Sequence, residues 1–155
     1  MIKGADFLFE AVHNSIEAGA DRVYISWRLM KDGIVQVRVL DNGNFQKVDN
    51  AFEKGVSTRG SGRGMGLYYL KREAITSSLE RVGDETVLSF TIKADSSSLI
   101  DVLPFLFSIS NITFFYKDRD KEVRLSSNSL EKEFDDLSSV AAIANMKKVI
   151  RESLL

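Results

Sequence analysis

Cysteine is absent from this chain of 155 residues, and proline, histidine and tryptophan each occur once. The lack of cysteine excludes disulfide bonds, thiolate metal sites and cysteine nucleophiles. Lysine and arginine number 21 against 22 aspartates and glutamates, which leaves a formal net charge of −1. That balance argues against a general nucleic-acid binder, which needs a strong positive field, but it leaves room for a local basic patch.

Long apolar runs are also missing. No stretch approaches ~18 uninterrupted apolar residues, so the sequence predicts no membrane span. Asp6 and Glu10 interrupt the N-terminal apolar stretch where a signal peptide would be continuous, and we therefore expect a cytoplasmic protein. The length suits one domain, or one domain with an appendage, and 44% hydrophobic residues are enough for a core.

Hydrophobic periodicity predicts a mixture of helices and hairpins. In the first part of the chain we expect a helix over 5–18, a strand hairpin turning at 31–33 and ending at Asp41, a helix from Leu67 to about Ser77, and a hairpin turning at 83–84. Beyond Asp95 we expect a short helix that Pro104 stops, a third hairpin over 112–125, and a closing helix from Ser138 to about Leu154.

A glycine-rich segment separates the first hairpin from the second helix. Five of the ten glycines lie between Gly55 and Gly66. Glycines let backbone N–H groups approach an anion closely, and a helix that follows adds free N–H groups. The spacing excludes a Walker A loop, which needs a lysine and a Ser/Thr after its last glycine, and it does not match the Rossmann pattern. Two hypotheses remain for this segment: it is either a phosphate-binding loop or a flexible loop without a ligand.

Two further features carry candidate chemistry. Glu10, Asn14 and Glu17 share one face of the first predicted helix, and an acid beside an amide can hold Mg²⁺ and orient a water. An exposed polar helix face has the same pattern. His13, on the same helix, is interpreted as a packing or supporting residue. Asp41 ends a valine-rich strand before Asn42-Gly43, a position that is also typical of a turn.

Together, and in this order, these features resemble the GHKL superfamily of ATP-binding domains. That superfamily includes DNA gyrase B subunits, the ninety-kilodalton heat-shock chaperones, sensor histidine kinases and mismatch-repair ATPases. Its three motifs are matched by the stretches Glu10-Ala11-Val12-His13-Asn14, Asp41-Asn42-Gly43-Asn44-Phe45 and Gly62-Arg63-Gly64-Met65-Gly66. The continuation of the first motif, Asn14-Ser15-Ile16-Glu17-Ala18-Gly19-Ala20, is most similar to mismatch-repair ATPases. Residues 55–68 are similar to the lid of citrate-type and quorum-sensing sensor kinases. Phe45 stands where the second motif has its last glycine.

The resemblance covers residues 5–93 and implies a fold. It implies an α/β two-layer sandwich of the Bergerat type, with a mixed sheet, helices on one face, and ATP between them under a mobile glycine-rich lid. Residues 1–94 would form this ATP-binding core. Residues 95–155 would form a C-terminal α/β extension packed on the core or completing it.

The resemblance also assigns roles. Asp41 would accept the adenine amino group with Thr86 nearby, Asn14 would coordinate Mg²⁺, and Glu10 would polarise the attacking water or phosphoacceptor. The rest of the ATP would be bound by the glycine loop and its neighbours: Gly43, Lys54, Arg59, Gly62, Arg63, Gly64, Met65, Gly66 and Leu67.

Two kinds of function fit these roles. One is an ATPase, or a histidine or serine protein kinase-like enzyme, in a regulatory or signalling role. The alternative is a non-catalytic, nucleotide-gated protein-binding module. We expect ATP and Mg²⁺ as ligands and a protein partner or a second copy as the assembly partner, and we expect neither a membrane nor a nucleic-acid partner.

Overall fold

The structure is a computed structural model that describes residues 4–44 and 65–155. The helices and strands of these residues follow in chain order: α1 (Gly4–Glu17), β1 (Val23–Leu29), β2 (Ile34–Asp41), α2 (Met65–Glu73), β3 (Thr76–Val82), β4 (Glu85–Lys93), α3 (Leu99–Ile109), β5 (Ile112–Lys117), β6 (Glu122–Ser126), α4 (Ser127–Phe134) and α5 (Val140–Leu154). Short 3-10 turns occupy Lys31–Gly33 and Ser96–Ser98.

The strands form one mixed sheet of six strands in the order β3-β4-β2-β1-β5-β6. β1 pairs in parallel with β5, and the other neighbouring strands are antiparallel. The parallel pair needs a long crossover between its strands, and the described part of that connection contains helices. The predicted two-layer sandwich with a mixed sheet is confirmed.

The core lies on one face of the sheet. Along β1, Val23, Ile25 and Trp27 are buried, whereas Tyr24 and Arg28 are exposed, as the two-residue period of a strand requires. The buried face is covered by helices whose apolar side chains belong to the same cluster: Leu8 and Val12 of α1, Leu103 and Leu106 of α3, Met146 and Ile150 of α5. The helices therefore cover one side of the sheet.

The turns of the two N-terminal hairpins follow their sequence signals. Asp32 and Gly33 adopt positive φ between β1 and β2, and Gly83 does so between β3 and β4. Glycine and aspartate are residues that tolerate this left-handed conformation. Both predicted hairpins are confirmed, as is the third hairpin formed by β5 and β6.

Pro104 does not stop a helix, which corrects the prediction of a short helix ending there. It lies inside α3, which runs to Ile109. A proline inside a helix costs ~3 kcal/mol or more. Burying one large apolar side chain returns about 1.5–3 kcal/mol, and α3 buries Leu99, Leu103 and Leu106 completely. The free energy gained by burying these apolar side chains therefore outweighs the cost of a proline inside the helix.

Three other boundaries differ from the prediction. α2 begins at Met65 instead of Leu67 and ends at Glu73 instead of Ser77, because Ile75 already donates its N–H to the Thr91 carbonyl at the start of the β3–β4 pairing. α5 begins at Val140, behind a Ser139 cap that accepts from the Ala142 N–H.

The apolar stripe of α5 is narrow, since Val140 is 87% exposed and Ala144 is also exposed. The helix α4 was not predicted. Among the described residues no helix is long and apolar enough to cross a membrane.

Candidate functional site

A small pocket opens between α1, the start of α2 and the β2–β4–β3 part of the sheet. Five apolar residues and four polar ones line it: Ala11, Val39, Leu67, Leu79 and Leu88, with Asn14, Ser15, Asp41 and Thr86. Small-molecule sites are mostly apolar pockets with a few convergent polar groups. The lining therefore suits a flat ligand with apolar faces and one polar edge.

Asp41 is the acidic residue of this pocket. It ends β2, is 8% exposed, and lies directly across from Thr86 of β4. The Ser15 hydroxyl donates to its Oδ2 at 2.6 Å, and the Gly43 N–H donates to its Oδ1 at 2.9 Å. A carboxylate can accept about four hydrogen bonds. Two donors therefore fix the orientation of Asp41 and leave acceptor capacity for a ligand.

Gly43 is buried where the chain leaves β2. A Cβ atom built there would lie 3.0 Å from the Ala18 carbonyl oxygen and 3.1 Å from the Ala20 nitrogen. The next residue, Asn44, donates its N–H to the same Ala18 oxygen at 2.8 Å. The loop after α1 therefore supports the backbone that holds Asp41, and only a residue without a side chain fits this contact.

Arg81 connects three backbone segments at the edge of the pocket. Its Nη1 donates to the Thr86 hydroxyl at 2.9 Å and also to the Gly43 carbonyl, and its Nη2 donates to the Asp84 carbonyl at 3.3 Å. The guanidinium group thereby orients the Thr86 hydroxyl, which is 3% exposed. Because a guanidinium only donates, the Thr86 hydroxyl keeps its own proton for another acceptor.

The predicted residues of α1 take different positions. Asn14 is half-buried and lines the pocket, whereas Glu10, one turn earlier, is exposed and does not line it. His13 Nε2 lies 2.8 Å from Glu17 Oε1, and the Glu17 side chain is 5% exposed. The single histidine is therefore engaged with its helix neighbour.

The start of α2 brings backbone donors to the pocket. Leu67 is buried in the lining, and Met65 and Gly66 are the first two residues of the helix. The first four N–H groups of a helix have no acceptor within it and carry its positive dipole end. The predicted residues Lys54, Arg59, Gly62, Arg63 and Gly64, and also Phe45, lie outside the described residues.

The structure thus brings Asn14, Asp41, Leu67 and Thr86 together, with Gly43 adjacent. Sequence reasoning missed two residues of the site. Ser15 falls by its spacing on the apolar side of α1, where a lone hydroxyl is the available signal for a buried polar partner. The Arg81–Thr86 pairing could have been found by counting back from the two-residue turn at 83–84, which sets the hairpin register.

The described residues contain no cluster of three or more His, Cys, Asp or Glu side chains that could hold a metal ion. Mg²⁺ in nucleotide sites is usually bound by one or two protein oxygens plus phosphates and waters. Asn14, which lines the pocket, offers one such oxygen. The donor set therefore fits a nucleotide-bound Mg²⁺ and does not fit an all-protein metal cage.

Comparisons with known proteins identify the fold. No protein-family model matches the chain, and no curated protein matches its sequence. Solved structures do match. One is the N-terminal domain of a DNA repair protein, with a TM-score of 0.59, 16% identity, and coverage of 92% of this chain and 59% of that one. Another is the topoisomerase IV ATP-binding domain of Francisella tularensis in complex with a small-molecule inhibitor, with a TM-score of 0.50, 16% identity, and coverage of 78% and 83%.

This chain therefore spans less than two thirds of the DNA repair domain and most of the topoisomerase domain. At 16% identity the likeness concerns the fold. The described residues share the α+β fold of these structures, a mixed six-stranded sheet with helices on one face, which is the fold class that the sequence predicts.

Proposed function

We propose that this chain binds ATP with Mg²⁺ in the pocket beneath α1 and hydrolyses the nucleotide or transfers its phosphate to a protein in a regulatory role. The observation that carries the proposal is the anchored carboxylate of Asp41, opposite Thr86, in a mostly apolar pocket. The fold shared with a topoisomerase IV ATP-binding domain supports the same ligand.

Adenine fits the chemistry of this pocket. Its two faces are apolar and suit Val39, Leu79 and Leu88, and its edge carries an amino donor beside a ring-nitrogen acceptor. Asp41 accepts from the amino group with the capacity that Ser15 and Gly43 leave free. Nucleotides without this donor should bind more weakly, since they lose a hydrogen bond to a charged acceptor, which contributes ~1.5–3 kcal/mol.

The phosphates extend from the pocket toward the start of α2. The N–H groups of its first turn, which have no acceptor within the helix, are donors suited to phosphate oxygens, and Leu67 lines the pocket from the same turn. We assign the remaining phosphate contacts to Gly62, Gly64 and Gly66 and to the cations Lys54, Arg59 and Arg63, in a lid that closes over the nucleotide.

In this proposal, the residues that bind Mg²⁺ and activate the nucleophile lie on α1. Asn14 would hold Mg²⁺, which when bound neutralises charge on the phosphates. Glu10 is exposed one turn away, outside the pocket lining, where a water or an acceptor side chain of a partner can reach it. A carboxylate there accepts the proton of the nucleophile while the phosphoryl group leaves ADP.

Calorimetric titration of Mg·ATP into the chain tests the binding step. We expect Asp41→Asn to weaken binding by about 1.5–3 kcal/mol, the net contribution of a hydrogen bond to a charged group. The matched control is Asp32→Asn, in the exposed turn between β1 and β2. Equal affinity of the Asp41 variant and the wild type would remove this residue from the site.

Phosphate release tests the catalytic step. We expect Glu10→Ala to keep Mg·ATP affinity and to lose ~10²-fold or more in turnover. Hydrolysis that persists in this variant would mean that the base is a different group. A wild type that binds ATP and neither hydrolyses it nor phosphorylates a partner would favour the nucleotide-gated binding module.

A further inference from the structure

The sheet face opposite the helices is positively charged in a chain whose net charge is −1. We call this surface, over β2, β1, β5 and β6, the open face, and it is the side on which Tyr24, Ser26 and Arg28 of β1 lie. The strand alternation places it away from the buried side chains of the core. Every residue of these four strands is described.

Four cations lie on the open face: Arg28, Arg38, Lys117 and Arg124. Each is an exposed residue that alternates with buried or half-buried neighbours along its strand. Glu122 is the carboxylate found on this side of the four strands, and its Oε1 lies 3.1 Å from Lys117 Nζ. Four cations and one carboxylate leave a local charge of +3, opposite in sign to that of the chain.

The placement of two of these cations opposes folding. Arg28 and Lys117 are direct partners in the parallel β1–β5 register. Like charges in directly opposed positions destabilise a sheet. Glu122 offsets part of this repulsion for Lys117. A bound anion would offset the rest.

Two aromatic rings lie among the cations. Tyr24 of β1 is 38% exposed and Phe115 of β5 is 40% exposed. Tyr24 pairs with Thr113 and Ser26 with Phe115, so the two rings are diagonal neighbours, a separation of about 7–8 Å between backbones. A shallow groove runs over Phe115 and is lined by Ser26, Lys117, Glu122 and Arg124.

Arg124 also contacts the aromatic surface. Its guanidinium carbon lies 5.7 Å from the centre of the Phe115 ring. A planar guanidinium above an aromatic ring forms a flat cationic surface on which a nucleobase can stack. The same group can instead turn to a phosphate and leave the ring free.

We propose that the open face binds single-stranded nucleic acid. The four cations would neutralise phosphates of the strand, and Tyr24 and Phe115 would stack on two bases. Cations beside exposed rings on a sheet are the combination that sequence-tolerant single-strand binding uses. An acidic protein segment would use the charges and would leave the two rings without a role. This proposal is independent of ATP binding and revises the expectation of no nucleic-acid partner.

The test is fluorescence anisotropy with labelled 20-nucleotide single strands of DNA and RNA, measured on the full chain without ATP at several salt concentrations. For the wild type we expect saturable binding whose log–log salt slope is about −2 to −3, since each neutralised phosphate of a single strand contributes about −0.7. Arg28→Gln combined with Arg38→Gln should make the slope less steep by about 1.4.

The aromatic variants separate stacking from charge. Phe115→Ala should weaken binding roughly 5- to 150-fold, the contribution of one stacked base, while the salt slope stays the same. Phe115→Leu, which keeps an apolar side chain and removes the aromatic face, should weaken it similarly. Lys148→Gln, an exposed cation of α5 in the helical layer, is the matched control and should change neither quantity.

Three results would overturn the proposal. The first is that the wild type shows no saturable binding at low salt. The second is that the Phe115 variants bind as tightly as the wild type does. The third is that Lys148→Gln loses as much affinity as the open-face variants do. Polyglutamate binding as tightly as the oligonucleotides, and insensitive to Phe115→Ala, would assign the face to an acidic protein instead. Circular dichroism melting curves of the variants ensure that a loss of binding is not a loss of fold.

Discussion

Replacement of Gly43 by alanine tests the packing beneath the candidate site most directly. The added methyl group would lie 3.0 Å from the Ala18 carbonyl oxygen and 3.1 Å from both the Ala18 Cβ and the Ala20 nitrogen. Two of these three atoms belong to the backbone, and a short loop between α1 and β1 carries them. They cannot rotate away as the end of a flexible side chain could.

The cost follows from two contributions. Forcing a methyl group into a filled space typically costs 1–3 kcal/mol. Moving the Ala18 carbonyl also weakens the hydrogen bond that it accepts from Asn44 at 2.8 Å, which contributes about 0.5–1.5 kcal/mol. We expect Gly43→Ala to lower the free energy of unfolding by about 2–4 kcal/mol.

Urea unfolding at 25 °C measures this change as a shift in midpoint at constant m-value. The control is Gly83→Asn in the β3–β4 turn, where φ is +61° and nothing lies within 4 Å of an added Cβ. Asparagine tolerates that conformation, so the control should stay within about 0.5 kcal/mol of the wild type. A Gly43→Ala variant as stable as the wild type would refute the close-contact argument.

Three further changes test other parts of the molecule. Ser15→Ala removes a buried donor to Asp41 and should lower the free energy of unfolding in urea by about 1–3 kcal/mol. It should also weaken Mg·ATP binding measured by calorimetry, and an unchanged urea midpoint would argue against this hydrogen bond. Burial, followed by the Asp118 carboxylate, raises the pKa of Tyr116 to about 12 from 10.0. Because the unfolded state then loses the tyrosine proton first, the free energy of unfolding should fall as pH rises from about 10 to about 12. Tyr116→Phe should abolish that part of the fall, and identical pH profiles of stability in both proteins would contradict this prediction. A fragment that ends at Ala94 lacks β5 and α3, so we expect aggregation or a non-cooperative melt, and a soluble, monomeric, ATP-binding fragment would show that residues 95–155 are dispensable.

The hairpins could be predicted from the sequence because their determinants are local. Strict alternation identifies β1 and β2, and the glycines of the 31–33 and 83–84 turns set where each chain reverses. Once the two-residue turn is known, the partner of each residue in β3 and β4 follows by counting. Local signals of this kind require no knowledge of the rest of the chain.

The helical layer was harder to predict because it depends on tertiary packing. Pro104 predicts a helix end by its own chemistry, and the burial of Leu103 and Leu106 overrides it. Similarly, nothing in β5 itself specifies β1 as its parallel partner. Such choices depend on which surfaces meet in the folded chain, and a local pattern does not contain that information.

In the candidate site, too, some residues could be predicted from local sequence and others depend on tertiary packing. The motif resemblance led to Asn14, Asp41 and Thr86, which share one pocket in the structure. The spacing of Ser15 fits the apolar side of α1, so its local pattern gives no sign of a role in the site. Its hydroxyl contacts a carboxylate 26 positions later in the chain, and that distance is closed only by the α1–β1–β2 arrangement.

The parallel strand pair links the C-terminal segment to the site. Asp41 of β2 pairs with Val23 of β1, and Val23 pairs with Ile112 of β5, so the three strands are in register beside Asp41. Val23 also donates its N–H to the Asn111 carbonyl at 2.9 Å. This contact fixes the end of the α1–β1 loop, whose Ala18 supports Gly43. The residues that hold Asp41 are therefore supported by β5, a strand that follows Asp95 in the chain. Removing β5 should disturb nucleotide binding as well as stability.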